Sequence, residues 1–179
     1  MNPQEIIDKY YQPGSPLWTV LVEHSMAVTK MALSIAQNHP ELKTDIQFIK
    51  EASMLHDIGI FYTNAPDLHC VGDKPYICHG YMGRELLKKE GYTLHALVCE
   101  RHTGTGLSVE DIKSQNLPLP LRDMRPQSIE EQIICFADKF FSKSGNLMQP
   151  KSVEKIRKSM AKHGQKQVDQ FDRWCEQFL

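Results

Sequence analysis

Long apolar runs are missing from this sequence. The longest unbroken stretches, such as Ile133 to Ala137, fall far short of the roughly 20 residues a membrane-spanning helix needs. A dominant charge is missing too, since 21 Lys and Arg face 22 Asp and Glu for a formal net charge of −1. No bulk field therefore draws the chain to nucleic acid or to an acidic membrane surface, and an anionic ligand has to be met locally. Cysteines number five, an odd count, and no two form a CxxC pair. Cys78, Cys99 and Cys135 lie in or beside apolar stretches, which points to reduced thiols rather than a disulfide framework or a thiolate metal site. The opening residues, MNPQEIIDKYY, lack the apolar run of a signal peptide, so the expected location is cytoplasmic. Internal repeats, low-complexity tracts and convincing period-2 strands are also absent.

What remains is helical. Asn2-Pro3 reads as an N-cap and first helical position for a short helix through Tyr11, ended by Pro13 and Gly14. Ser15-Pro16 repeats the signal and opens a long helix to about His39, with Val20, Leu21, Val28, Met31 and Ile35 at helical spacing. A third helix is expected from about Asp45 to His56, closed by Gly59. The Pro-, Gly- and Asp-rich stretch 62–78 reads as a long loop. Helices follow from His79 to Gly91 and from about Thr93 to His102. The stretch 103–127 holds one or two helical turns beginning at Ser108. Ser128-x-x-Glu131 reads as a capping box for a helix through Phe141, and two polar, amphipathic helices fill the C-terminus. The expected fold class is all-α: one domain over 1–179, with a core at about 17–145 and a helical extension at about 150–179.

Against this apolar background, a few polar residues stand on inward faces. His24 is four residues from both Val20 and Val28, and so shares their stripe. His56 follows Ala52 by four, and Asp138 follows Ile134 by four. A lone histidine on an apolar face is more often a hydrogen-bonded core residue than a ligand. A buried carboxylate, however, needs a cation or donors, and a metal ion suits imidazole and carboxylate together. The adjacent pair His56-Asp57 stands near a helix end, where neighbouring side chains can address one ion. Three such positions on three helices favour a shared site over three coincidences.

The tetrapeptide His56-Asp57-Ile58-Gly59 resembles the HDIG signature of HD-domain phosphohydrolases. A histidine on an earlier helix (LVEHSMAV, His24) and a distant aspartate (IICFADKF, Asp138) complete the family order H…HD…D. The resemblance covers about residues 17 to 145 and implies a compact helical bundle with metal ligands His24, His56, Asp57 and Asp138. It further implies that His79 (CHGYMGRELL), on a face with Met82 and Leu86, and His102 (VCERHTGTG), on a face with Leu94 and Val98, hold a second ion, with Asp57 bridging. The HTGTG stretch is similar to the corresponding segment of the symmetrical dinucleoside-tetraphosphate hydrolase branch, and also to small HDIG proteins. The chain departs from the HD-GYP phosphodiesterases at Ile60, where they carry Lys, at His102-Thr103, where they carry paired histidines, and in lacking the GYP element.

The resemblance implies hydrolysis of a phosphoester or phosphoanhydride in a nucleotide-like small molecule by a metal-activated water, with Asp57 as the catalytic residue. The cofactor would be a divalent transition metal, two ions of Fe, Mn, Zn or Ni. Arg84, Arg101 and Lys139 flank the ligands and are candidates for phosphate contacts, with the Gly104 and Gly106 backbone as further candidates. His39 and His163 read as helix C-terminal residues, and His69 and His95 have no assigned role. The alternatives left open are a non-catalytic nucleotide-binding sensor, a structural helical domain and a diiron oxygenase. Neither a nucleic-acid nor a membrane partner is expected, and the Lys-rich segment 151–166 reads as a solvated helix face. Oligomeric state is left open, a homodimer included.

Overall fold

A computed structural model describes residues 1–179. Nine α-helices carry the chain: α1 (Pro3–Tyr10), α2 (Pro16–Asn38), α3 (Ile46–Leu55), α4 (His79–Lys89), α5 (Thr93–Arg101), α6 (Val109–Ser114), α7 (Ile129–Lys139), α8 (Val153–Ala161) and α9 (Gln165–Phe178). No helix is long and apolar enough to cross a membrane. The all-α expectation holds, with one small exception. Within the loop 62–78, Asn64–Ala65 (β1) and Cys70–Val71 (β2) pair antiparallel.

Local side-chain chemistry fixes where the helices begin. Asn2, Ser15, Asp45, Ser108 and Ser128 each accept a hydrogen bond from a backbone N–H in the first turn of their helix. Ser108 and Asp111 form a reciprocal capping box. At α7 the expected box is only half made. Ser128 accepts from the Glu131 N–H, but the Glu131 carboxylate accepts from the Gln127 N–H and from Arg101. Its bond to a guanidinium is charge-assisted, and that partner draws the side chain away from the cap.

Two large apolar cores form, with a third, small cluster of Leu107, Ile112 and Met124 under the segment 103–127. The larger joins Ala27, Val28 and Ala32 of α2, Ile49 and Ala52 of α3, Ile133 to Ala137 of α7, and Phe171, Trp174 and Phe178 of α9. The smaller gathers Ile6 and Ile7 of α1, Leu21 of α2, Leu55, Ile58 and Ile60, and Leu86 and Leu87 of α4. The C-terminal helix is therefore part of the main core: its three large aromatics are almost fully buried. In α5, Val98 is buried as expected, while Leu94 in the first turn lies exposed. All five cysteines are free thiols, four of them buried. The two cores meet along α2 and α3. His24 falls between Leu21 and Ala27, and His56 follows Leu55, so the polar residues occupy the seam.

Candidate metal centre

Six side chains from four helices and one turn converge at this seam. His24 comes from the middle of α2, and His56 and Asp57 from the turn that ends α3. His79 opens α4, His102 follows α5, and Asp138 lies near the end of α7. All six are buried, with His24, His56 and Asp57 at zero exposure. The ligand atoms fall into two groups, His24–His56–Asp57–Asp138 and Asp57–His79–His102, each spanning at most 4.8 Å. Asp57 belongs to both and divides its oxygens between them. Its Oδ2 lies 3.2 Å from His24 Nε2 and 3.1 Å from His56 Nε2. Its Oδ1 lies 3.4 Å from His79 Nε2 and 3.3 Å from His102 Nε2. Asp138 Oδ1 closes the first group, 3.0 Å from His24 Nε2 and 3.4 Å from His56 Nε2.

Three of the imidazoles are oriented by the backbone. Nδ1 of His56, His79 and His102 each lies within 2.6–2.7 Å of the carbonyl oxygen three residues earlier, on Ser53, Tyr76 and Cys99. Donating the Nδ1 proton to that carbonyl leaves the Nε2 lone pair facing the centre, the tautomer a metal requires. Nε2 of His79 and Nε2 of His102 then stand 3.0 Å apart. Two acceptors cannot bond each other, and a cation between them removes the conflict. His56 Nε2 and Asp57 Oδ1 are buried without a hydrogen-bond partner despite their close neighbours, and Asp57 Oδ2 meets the Lys143 ammonium. Groups so placed point at a common centre rather than at one another. The donor set, four imidazoles and two carboxylates, fits divalent transition metals.

The same crowding governs charge. Burial opposes ionisation of Asp57, but the Lys143 ammonium and His56 outweigh it and hold the carboxyl well below the usual range. Burial opposes ionisation of Asp138 in the same way, and Lys139 and Lys143 overcome it. Burial also disfavours a proton on His56, yet Asp57 and Asp138 raise its pKa to about 9. His79, buried with a weaker claim on the carboxylates, is pushed down to about 3. The seam thus demands positive charge, and the chain meets the demand with a proton on His56 and with lysines.

Around the centre, packing fixes the candidate ligands Asp57, His79 and His102. The Tyr11 hydroxyl donates to Ile58 O at 2.7 Å and so pins the turn that carries Asp57. Gly59 has an ordinary φ of −87°. Its purpose is contact rather than the expected helix closure: an added Cβ would stand 2.2 Å from His79 O and 2.4 Å from Gly83 N. Only glycine lets α4 lie close enough to aim His79. At the end of α5, the carbonyl of His102 accepts from Cys135 Sγ at 3.3 Å and Lys139 Nζ at 2.8 Å, which ties it to α7. The Tyr76 ring stacks on His79 with centroids 4.7 Å apart.

The three candidate phosphate contacts are all engaged. Arg101 Nη1 bonds Glu131 at 2.9 Å, and Arg84 pairs with Glu85 and with buried Glu100. Lys139 Nζ lies 2.7 Å from Asp138 Oδ2 and so positions a candidate ligand. The backbone at Gly104 and Gly106 is turned to α9: Thr105 N donates to Gln167 Oε1 at 2.6 Å, and Gln167 Nε2 donates to Gly106 O at 3.1 Å. His95 faces Glu51 at 3.2 Å, and His39 faces Glu41 at 3.0 Å. Lys143, absent from the sequence reading, is the cation nearest the centre. Its Nζ lies 2.7 Å from Asp57 Oδ2 and 3.9 Å from Asp138 Oδ1, and its side chain is 15% exposed. It sits in the irregular segment after α7, where neither helical periodicity nor a motif marks it.

An all-helical protein with a buried histidine–aspartate centre that shares one carboxylate between two ligand groups is the class these features define. Comparison with known proteins places it more closely. A model of the HD domain matches residues 21–142, and the chain belongs to the HD-domain family. An uncharacterised protein of Methanocaldococcus jannaschii is 30% identical over 146 residues, 80% of this chain and 79% of that one. Two tRNA (cytidine(56)-2'-O)-methyltransferases are also similar. That of Picrophilus torridus is 33% identical over 69% of this chain, and that of Thermoplasma volcanium 27% over 88%. The matched segments span 32% and 41% of those longer proteins. No solved structure matches.

Proposed function

We propose that this protein is a metal-dependent phosphohydrolase that cleaves a phosphoester or phosphoanhydride bond in a nucleotide-like small molecule. The observation that carries the reading is the division of Asp57, whose two oxygens face two separate sets of imidazoles. That arrangement suits a pair of divalent cations, which supply Lewis acidity toward water and phosphoryl oxygens. The chain's part is preorganisation. Backbone carbonyls hold His56, His79 and His102 in one tautomer, and Lys139 fixes Asp138. Lys143 brings a positive charge to the place where phosphoryl oxygens would gather charge. With the imidazole nitrogens and carboxylate oxygens of the two groups occupied in holding cations, a water activated there would serve as nucleophile. The likeness to part of two tRNA methyltransferases adds RNA-borne phosphoesters to the substrates worth trying.

The test is a nucleotide panel of mono-, di- and cyclic phosphates, dinucleoside polyphosphates and short RNAs with terminal phosphates. It is run on Mn²⁺- or Fe²⁺-loaded protein beside an Asp57→Ala variant. Turnover in the parent that falls at least a thousandfold in the variant is expected, on the order of what loss of a central electrostatic group costs. Equal rates in both proteins would discard the assignment of the site.

A further inference from the structure

Beside the centre, the end of α7, the segment after it and α8 enclose a cavity of about 370 Å³. Its walls carry four lysines, Lys139, Lys143, Lys151 and Lys155, with Ser142 and Ser159, and its single carboxylate is Asp138. Lys139 and Lys143 are paired with the centre's carboxylates, but no carboxylate lies within 4.0 Å of Lys151 or Lys155. Lys151 is half-buried. Burial, followed by the charges of Lys139, Lys143 and Lys155, lowers its pKa even though Asp138 pulls the other way. Four like charges gathered in a concave site with two of them unpaired cost stability, and an anion would repay that cost. The volume sits at the small end of the range for small-molecule pockets. Because Asp138 both lines the cavity and belongs to the ligand cluster, an anion held there adjoins the reacting centre.

We infer that the Lys143–Lys151–Lys155 cavity is a subsite for a second phosphoryl group, so that the substrate is a small molecule with at least two linked phosphates. The inference deepens the hydrolase reading and rests on it for the group held at the metal centre. The ammonium groups of Lys151 and Lys155 would bind phosphate oxygens non-covalently, with the Ser142 and Ser159 hydroxyls at the same wall.

The test is calorimetric binding of inorganic phosphate, pyrophosphate and tripolyphosphate to the Mn²⁺-loaded full chain. Parent, Lys151→Gln, Lys155→Gln and the double variant are compared, with Lys158→Gln as a control for net charge. Lys158 is an exposed lysine on the same helix that does not line the cavity. Tripolyphosphate should bind well above phosphate. Each lining variant should weaken it about tenfold, the worth of one charge-assisted hydrogen bond, while the control leaves it unchanged. Unchanged tripolyphosphate affinity in the double variant, or equal losses in the control, would overturn the subsite. So would affinity for oligonucleotides that keeps rising with length, which would mean a polymer track. Lysine-dependent binding of tripolyphosphate without turnover of any substrate would uphold the subsite and count against the hydrolase reading alone.

Discussion

At the scale of single residues, the centre is a contest over who supplies positive charge to two dry carboxylates. Asp57 and Asp138 stay ionised because Lys143 and Lys139 touch them and because His56 can keep a proton to about pH 9. A metal ion replaces that proton with a stronger charge, so the same geometry that raises the pKa of His56 favours ion binding. The two ligand groups differ in what they would lose on mutation. His79 serves only the second, whereas Asp57 serves both. His79→Ala is therefore expected to bring bound metal from two ions per chain to one, and Asp57→Asn to weaken both positions by a hundredfold or more, the upper range for ligand and near-ligand changes. Elemental analysis after dialysis against a fixed free-metal concentration reads the stoichiometry. Equal loss in the two variants would mean that the groups do not act as separate positions.

At the scale of elements, helix starts and the inward placement of the candidate ligands are legible in the sequence because they depend on local rules. Asn2, Ser15, Asp45, Ser108 and Ser128 cap their helices as their chemistry dictates. His24 and Asp138 betrayed themselves as polar residues on apolar stripes. What could not be read depends on which elements meet. Arg84 and Arg101 look like free cations in sequence, and only the packing of α4 and α5 beside Glu100 and Glu131 engages them. Lys143 lies in a segment with no periodicity to fix its direction. Gly59 looked like a helix stop, although its role is the close approach of α4. That role yields a sharp expectation. In Gly59→Ala the new methyl would meet backbone atoms of His79 and Gly83, neither of which is a side chain able to swing aside. The variant should lose about 3 kcal/mol or more in urea unfolding, the high end of overpacking. His79 should move with α4, so the second ion should be lost even where the fold survives. A variant as stable as the parent would show that α4 does not pack this tightly.

At the scale of the whole molecule, the seam is where α2, the turn after α3, α4, α5 and α7 bring polar side chains together between their apolar contacts. Two hydrophobic cores lie on either side, and the polar cluster between them is held by ion pairs whose desolvation offsets much of their attraction. Ions bound there would link elements far apart in the chain, and they would do so only in the folded state. Folding and metal binding are then coupled: at a free metal concentration a thousandfold above Kd, the folded state gains about 4 kcal/mol. For a chain of this length each kcal/mol moves Tm by about 2–4 °C, so stripping the metal should lower Tm by roughly 8–16 °C. Readdition of Mn²⁺ should restore it. The Asp57→Asn variant, with both positions weakened a hundredfold or more, should show at most about a third of that response at the same metal concentration. Calorimetric scans with chelator and with excess metal measure both proteins directly. A parent whose Tm ignores metal and chelator alike would leave the imidazoles and carboxylates as a self-neutralised polar core, held by Lys139, Lys143 and the proton on His56.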